Sequence, residues 1–222
     1  MGKLGALFPD CGLRWHYVPP PVFLDAWPVA EAEPNAAFTT ITNWWDKWVK
    51  YGDESYSNEK RDGFLPFLDL PRRTSEPLEL AVCLGVGDPK EEEMLRQRGW
   101  RVRDPWTIAG TPGDYQTYIQ KSRGEFSCVK PSCVRLQTAW ISDRTLCYLA
   151  SGKPAVVQHT GPSRFLPDAA GLLRFRDMDE AARCLEMAVE DYDQHCKLAR
   201  ALAEEYFDAK KSAQQVLERA LA

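Results

Sequence analysis

Several clusters of side chains in this chain have the types and spacing to hold a phosphate-bearing ligand. Ser142-Asp143-Arg144 stands directly before an apolar run that reads as a helix, so Ser142 or Asp143 caps its first turn. The start of such a helix attracts anions through its unpaired N–H groups and its dipole. An arginine beside it can grip phosphate with two parallel bonds. Lys130 follows a predicted strand and would add a second cation, with Arg123 and Arg135 as lesser candidates of the same kind. Gln158, His159 and Thr160 follow another strand and carry groups able to hydrogen-bond hydroxyls. Trp106 offers a face on which a base can stack, worth roughly 1–3 kcal/mol, or a large side chain to fill the core. Each cluster also has a structural reading: plain capping, a solvated lysine, a satisfied loop histidine. His159 is not expected to act as a general base, because nothing nearby supplies a positioned nucleophile. No catalytic residue is assigned.

These groups need elements to aim them. Phe38–Thr42, Leu78–Leu84, Trp100–Arg103, Phe126–Val129, Ala155–Val157 and Leu172–Phe175 read as strands. Between them, Pro89–Arg98, Asp114–Ser122 and Ser142–Ser151 read as helices, the last ended by Gly152. Gly63 and Pro66 argue for a loop with at most one helical turn over Glu59–Leu70. A helical tail runs from about Met178 to Ala222, broken near Asp208. Alternation of strand and helix predicts an α/β fold: a Rossmann-like, doubly wound, mostly parallel sheet. In such sheets ligands bind at the carboxyl ends of the strands. Gly85-Val86-Gly87-Asp88 lacks the third glycine of a dinucleotide fingerprint and reads as a turn.

Residues 1–36, rich in Pro and Trp, read as an arm or interdomain linker, and residues 37–222 as the Rossmann-like domain. So many aromatics predict an arm that packs against something. The chain has 222 residues, 44% of them hydrophobic, enough for a full core. A net charge of −4 argues against a nucleic-acid binder. No apolar run approaches the roughly 20 residues that span a bilayer, and no signal core opens the chain, so a cytoplasmic place is expected. The seven cysteines lack zinc spacings and read as reduced, buried thiols; no metal site is expected. His195 reads as a surface residue and His16 as packed within the arm.

A resemblance sharpens this picture. Tyr118-Ile119-x-x-Ser122-Arg123-Gly124-Glu125-Phe126-Ser127, Ser142-Asp143-Arg144, Cys147 to Pro154 and Val157 to Gly161 are similar to the C-terminal domain of GT-B-fold glycosyltransferases. The likeness is greater still to a bacterial group of glycosyltransferase-like proteins, and it takes in Pro20–Pro28 of the arm. GT-B enzymes have two Rossmann-like halves: one holds the acceptor, the other a nucleotide-diphosphate sugar. The resemblance implies that this chain is the donor half with its linker. Ser142, Asp143, Arg144 and Lys130 would then serve the diphosphate, Trp106 the base, and Gln158, His159 and Thr160 the sugar. It implies no cofactor beyond the nucleotide-sugar substrate, metal-independent transfer, and an acceptor domain missing ahead of residue 1, so that this chain alone is inactive. Cys147 stands where many relatives have a ribose-binding glutamate, and His159 where the bacterial group often has an acid. The alternatives are a non-catalytic binding or scaffold module that keeps the half-fold and offers its aromatic arm to a partner protein, and a Rossmann-type enzyme for another nucleotide. Residues 1–36 are expected to cover their own domain or to self-associate between two copies.

Overall fold

The computed structural model describes residues 12, 14–85, 89–163 and 166–221. Its centre is a six-stranded parallel sheet. The strands are β1 (Phe38–Asn43), β4 (Leu78–Cys83), β5 (Arg101–Arg103), β6 (Gly124–Ser127), β7 (Ala155–Gln158) and β8 (Leu172–Phe175). Their spatial order is β5-β4-β1-β6-β7-β8. Successive strands are therefore added to one side of β1 and then, from β6 on, to the other, and this switch point opens a crevice at the carboxyl ends of β1 and β6. A separate hairpin, β2 (Val49–Tyr51) with β3 (Glu54–Tyr56), follows β1. Its two-residue turn is Gly52-Asp53, with Gly52 at a φ of 60°, a turn dipeptide to which the reading of the sequence gave no weight.

Helices cover both faces. They are α1 (Lys60–Phe64), α2 (Pro89–Gln97), α3 (Pro105–Ile108), α4 (Pro112–Lys121), α5 (Pro131–Arg135), α6 (Asp143–Ala150), α7 (Met178–Glu190), α8 (Tyr192–Tyr206) and α9 (Ala209–Leu221). Strand alternation assigns the two cores. Val156 faces one with Phe64, Phe67, Phe126, Phe175 and Leu185. Ala155 and Val157 face the other with Leu146, Leu149, Ala199 and Leu202. In the first core Phe126 and Phe175 stack in parallel at 5.2 Å. Among the described residues, no helix is long and apolar enough to cross a membrane.

The α/β doubly wound sheet is as the sequence predicts; several local expectations need correction. The expected loop at Glu59–Leu70 contains α1 and then a 3-10 turn, Leu65–Phe67. Helix survives at Gly63 because the glycine is there for packing: a β-carbon would lie 2.0 Å from the Val129 carbonyl oxygen. Strand β6 begins two residues earlier than expected, leaving Lys130 in the loop beyond it. The tail breaks at Asp191 as well as at Phe207–Asp208. His195 is buried rather than exposed, because its Nδ1 accepts the Gly171 N–H at 3.0 Å. Of the described cysteines only Cys128 is buried; Cys83, Cys133, Cys147, Cys184 and Cys196 are half-buried. Cys11 and most of the Gly85–Asp88 turn lie outside the described residues.

The described part of the arm lies on its own domain. Val22 N–H donates to the Phe207 carbonyl at 2.7 Å, and Val22 is 5% exposed. Arg200 Nη1 donates to the Trp27 carbonyl at 2.8 Å, and the Trp27 ring meets Tyr115 edge-on. Trp15 and Phe23 remain mostly exposed, and His16 is exposed instead of packed.

Candidate functional site

Helix α6 is built as its sequence dictates. Ser142 Oγ accepts the Arg144 N–H at 3.3 Å, and Gly152 ends the helix region with a φ of 69°. Asp143 is exposed in the first turn. Arg144, however, turns inward and bridges the switch point. Its Nε and Nη2 donate to Glu125 Oε1 at 2.9 and 2.8 Å, Nη2 also to Ser127 Oγ at 2.7 Å, and Nη1 to the Ile41 carbonyl at 2.7 Å. Glu125 is fully buried and the Arg144 side chain is 11% exposed. The guanidinium thus clamps β6 to β1, while Arg144 also lines the crevice.

That crevice is a cavity of about 220 Å³ lined by Ile41, Thr42, Asn43, Trp45, Asp46, Lys60, Lys130 and Arg144. Lys130 forms a charged hydrogen bond with Asp46 Oδ2, and this pairing holds the Asp46 carboxyl below its ordinary range. Lys60 donates to the Cys128 carbonyl. Burial, with the Arg144 guanidinium adding to it, pushes the Lys60 ammonium down to about 7. Reading the sequence missed Lys60, because a lone lysine in an unpredicted helix carries no pattern. No sequence signal points to it: Gly63, whose closeness to Val129 brings α1 against the loop after β6, reads in the sequence as a helix breaker.

A second cavity, about 540 Å³, lies over the carboxyl ends of β4 and β5. Its walls include Leu84, Gly85, Arg96, Arg103, Asp104 and Trp106. Asp104 caps α3 by accepting the Trp106 N–H at 3.0 Å, which leaves the Trp106 indole 76% exposed. Trp45 connects the two cavities: it lines the smaller one, and its Nε1 donates at 3.0 Å to the Leu84 carbonyl in the wall of the larger.

Other residues picked from the sequence stand apart from both cavities. Gln158 Oε1 accepts the Val129 N–H at 3.0 Å, and Thr160 Oγ1 donates to the Trp140 carbonyl at 2.8 Å. His159 Nδ1 accepts the Gly161 N–H at 3.0 Å, and burial, with Arg176 and Arg174 nearby, lowers its basicity. These side chains tie loops together. Arg123 faces Glu76 at 3.2 Å and Arg135 faces Glu54 at 3.8 Å, so neither reaches the crevice. Burial pushes the Cys147 thiol up to about 12, leaving it protonated and a poor nucleophile. Among the described residues no cluster of three or more His, Cys, Asp or Glu is placed to hold a metal ion.

No protein-family model and no curated protein matches this chain. Solved structures do match its backbone. Sucrose-phosphate synthase from Thermosynechococcus elongatus superposes with a TM-score of 0.61 at 15% identity, over 92% of this chain and 52% of that one. TarM superposes with a TM-score of 0.56 at 13% identity, over 86% of this chain and 36% of that one. The fold is that of half a GT-B glycosyltransferase. The chain spans about half the length of the synthase and a smaller share of TarM. In open α/β sheets generally, ligands bind in the crevice at the carboxyl ends of the strands where the strand order switches.

Proposed function

We propose that this chain is the donor half of a GT-B glycosyltransferase and binds a nucleotide-diphosphate sugar across the two cavities. The observation that carries this reading is the pair of lysines, Lys60 and Lys130, facing one crevice at the β1/β6 switch point. The diphosphate would lie against them, and the nucleoside would extend past Trp45 to the exposed face of Trp106. A TarM structure from S. aureus, similar in fold at a TM-score of 0.55 and 12% identity, was solved in complex with UDP, which supports a nucleoside diphosphate as the ligand class. In transfer, the bond between the anomeric carbon and the diphosphate oxygen breaks, and its electron pair leaves with the diphosphate. Cations placed in advance at that oxygen stabilise the charge as it develops. Lys60 and Lys130 take that role here in place of Arg144, whose guanidinium is committed to Glu125. The acceptor and any general base would come from a second half.

Two expectations follow for equilibrium titrations with UDP, GDP and ADP followed by tryptophan fluorescence. Trp106→Ala should weaken the best nucleotide by roughly 1–3 kcal/mol while leaving thermal stability nearly unchanged, since the residue is 76% exposed. Unchanged affinity would move the base elsewhere. Asp46→Asn should tighten binding by about two- to fivefold, because the Asp46 carboxylate competes with phosphate for Lys130 in an exposed pair of small net worth. Weaker binding in that variant would instead make Asp46 a ligand contact. The scaffold alternative draws on the same pairing, since Arg144 and Lys130 already have protein partners; it requires that no nucleotide bind.

A further inference from the structure

We infer that the β1/β6 cavity takes up one proton, on Lys60, each time it binds its diphosphate ligand. The inference rests on the donor-half reading and adds how that site acquires its charge. The geometry is a cluster of cations whose counter-charges are spent elsewhere. Lys60 Nζ has a neutral carbonyl, that of Cys128, as its hydrogen-bond partner. From β6, Glu125 gives Oε1 to Arg144, and its attraction for the Lys60 charge is smaller than the repulsion from Arg144. From α6, the Arg144 guanidinium shares the cavity wall with Lys60, and from the loop after β1, Asp46 is paired with Lys130. The other groups facing Lys60 are the thiols of Cys128 in the loop after β6 and Cys133 on α5. Within α1 itself, Arg61 is held by Glu91 at 2.9 Å, and Asp62 accepts the Ser57 hydroxyl.

A desolvated amine beside a guanidinium favours its neutral form. Burial and Arg144 accordingly put its titration near pH 7 in the empty cavity. A bound diphosphate supplies the missing negative charge and restores the ammonium. The sign follows from linkage: the bound state holds more protons, so affinity falls as pH rises above about 7, by up to about tenfold per pH unit. The terminal phosphate of a nucleoside diphosphate, with a second pKa of about 6, is largely ionised over that range, so nearly all of the uptake belongs to the protein.

Calorimetric titration with UDP, GDP and ADP, in buffers of differing ionisation enthalpy, counts the protons. Uptake of close to one proton at pH 8 and about half a proton at pH 7 is expected on the linkage argument. Lys60→Arg, charged at every pH used, should still bind and should take up none. Binding whose heat is the same in every buffer at pH 8, or uptake that persists in Lys60→Arg, would overturn the inference while leaving the donor site standing. No binding of any of the three nucleotides would remove the donor-half reading and this inference with it. If Lys60→Arg fails to fold, the wild-type buffer series decides alone.

Discussion

Arg144→Ala should lower stability by about 3–5 kcal/mol, more than it alters any ligand affinity. The alanine variant leaves Glu125 as a fully buried carboxylate without its cation. Glu125 Oε2 has no hydrogen-bond partner even with Arg144 present, so a second acceptor role cannot soften the loss. The Ile41 carbonyl and Ser127 hydroxyl lose a donor in the same step. For a chain of this length the melting temperature should fall by roughly 10 °C or more. Arg144→Met combined with Glu125→Leu should cost less than Arg144→Ala alone, since removing both charges leaves none stranded. Differential scanning calorimetry measures both. An Arg144→Ala variant with native stability and lost nucleotide binding would return Arg144 to the ligand and reverse this assignment.

Gly63→Ala should be the other severe change, near 3 kcal/mol of lost stability, and its sign is diagnostic. On helix propensity alone, alanine at a mid-helix position would gain about 1 kcal/mol over glycine. Here the new carbon would meet the Val129 carbonyl oxygen at 2.0 Å and its carbon at 3.0 Å. Both are backbone atoms, so no side-chain rotation relieves the overlap. The loop from Cys128 to Lys130 must move, taking with it the carbonyl that Lys60 uses and the lysine that pairs with Asp46. Loss of stability should therefore come with weaker nucleotide binding. Urea unfolding that shows Gly63→Ala equal to or more stable than the parent would contradict the close approach.

Much of the sheet was legible because its strands are short apolar or β-branched runs closed by Gly or Pro, and helix α6 because Ser142 and Gly152 mark its ends. The hairpin Val49–Tyr56 was passed over because its strands are only three residues long, although Gly52-Asp53 marks its turn. Helix α1 was hidden by Gly63 and Pro66, residues whose reasons are tertiary. The site divides in the same way. Position relative to the strand ends put Lys130 and Trp106 at cavities. Which way a side chain turns depends on partners distant in sequence. Arg144 turns to Glu125, and Gln158 to Val129. Lys60 reaches the crevice from an element the sequence did not announce.

The measurement closest to the central claim is calorimetric titration of this chain with UDP, GDP and ADP at pH 7, repeated with Lys130→Ala. One-to-one binding of at least one nucleotide, weakened tenfold or more in a Lys130→Ala variant of unchanged melting temperature, is the predicted result. No heat of binding at millimolar nucleotide, or equal affinity in Lys130→Ala, would contradict a donor site between β1 and β6.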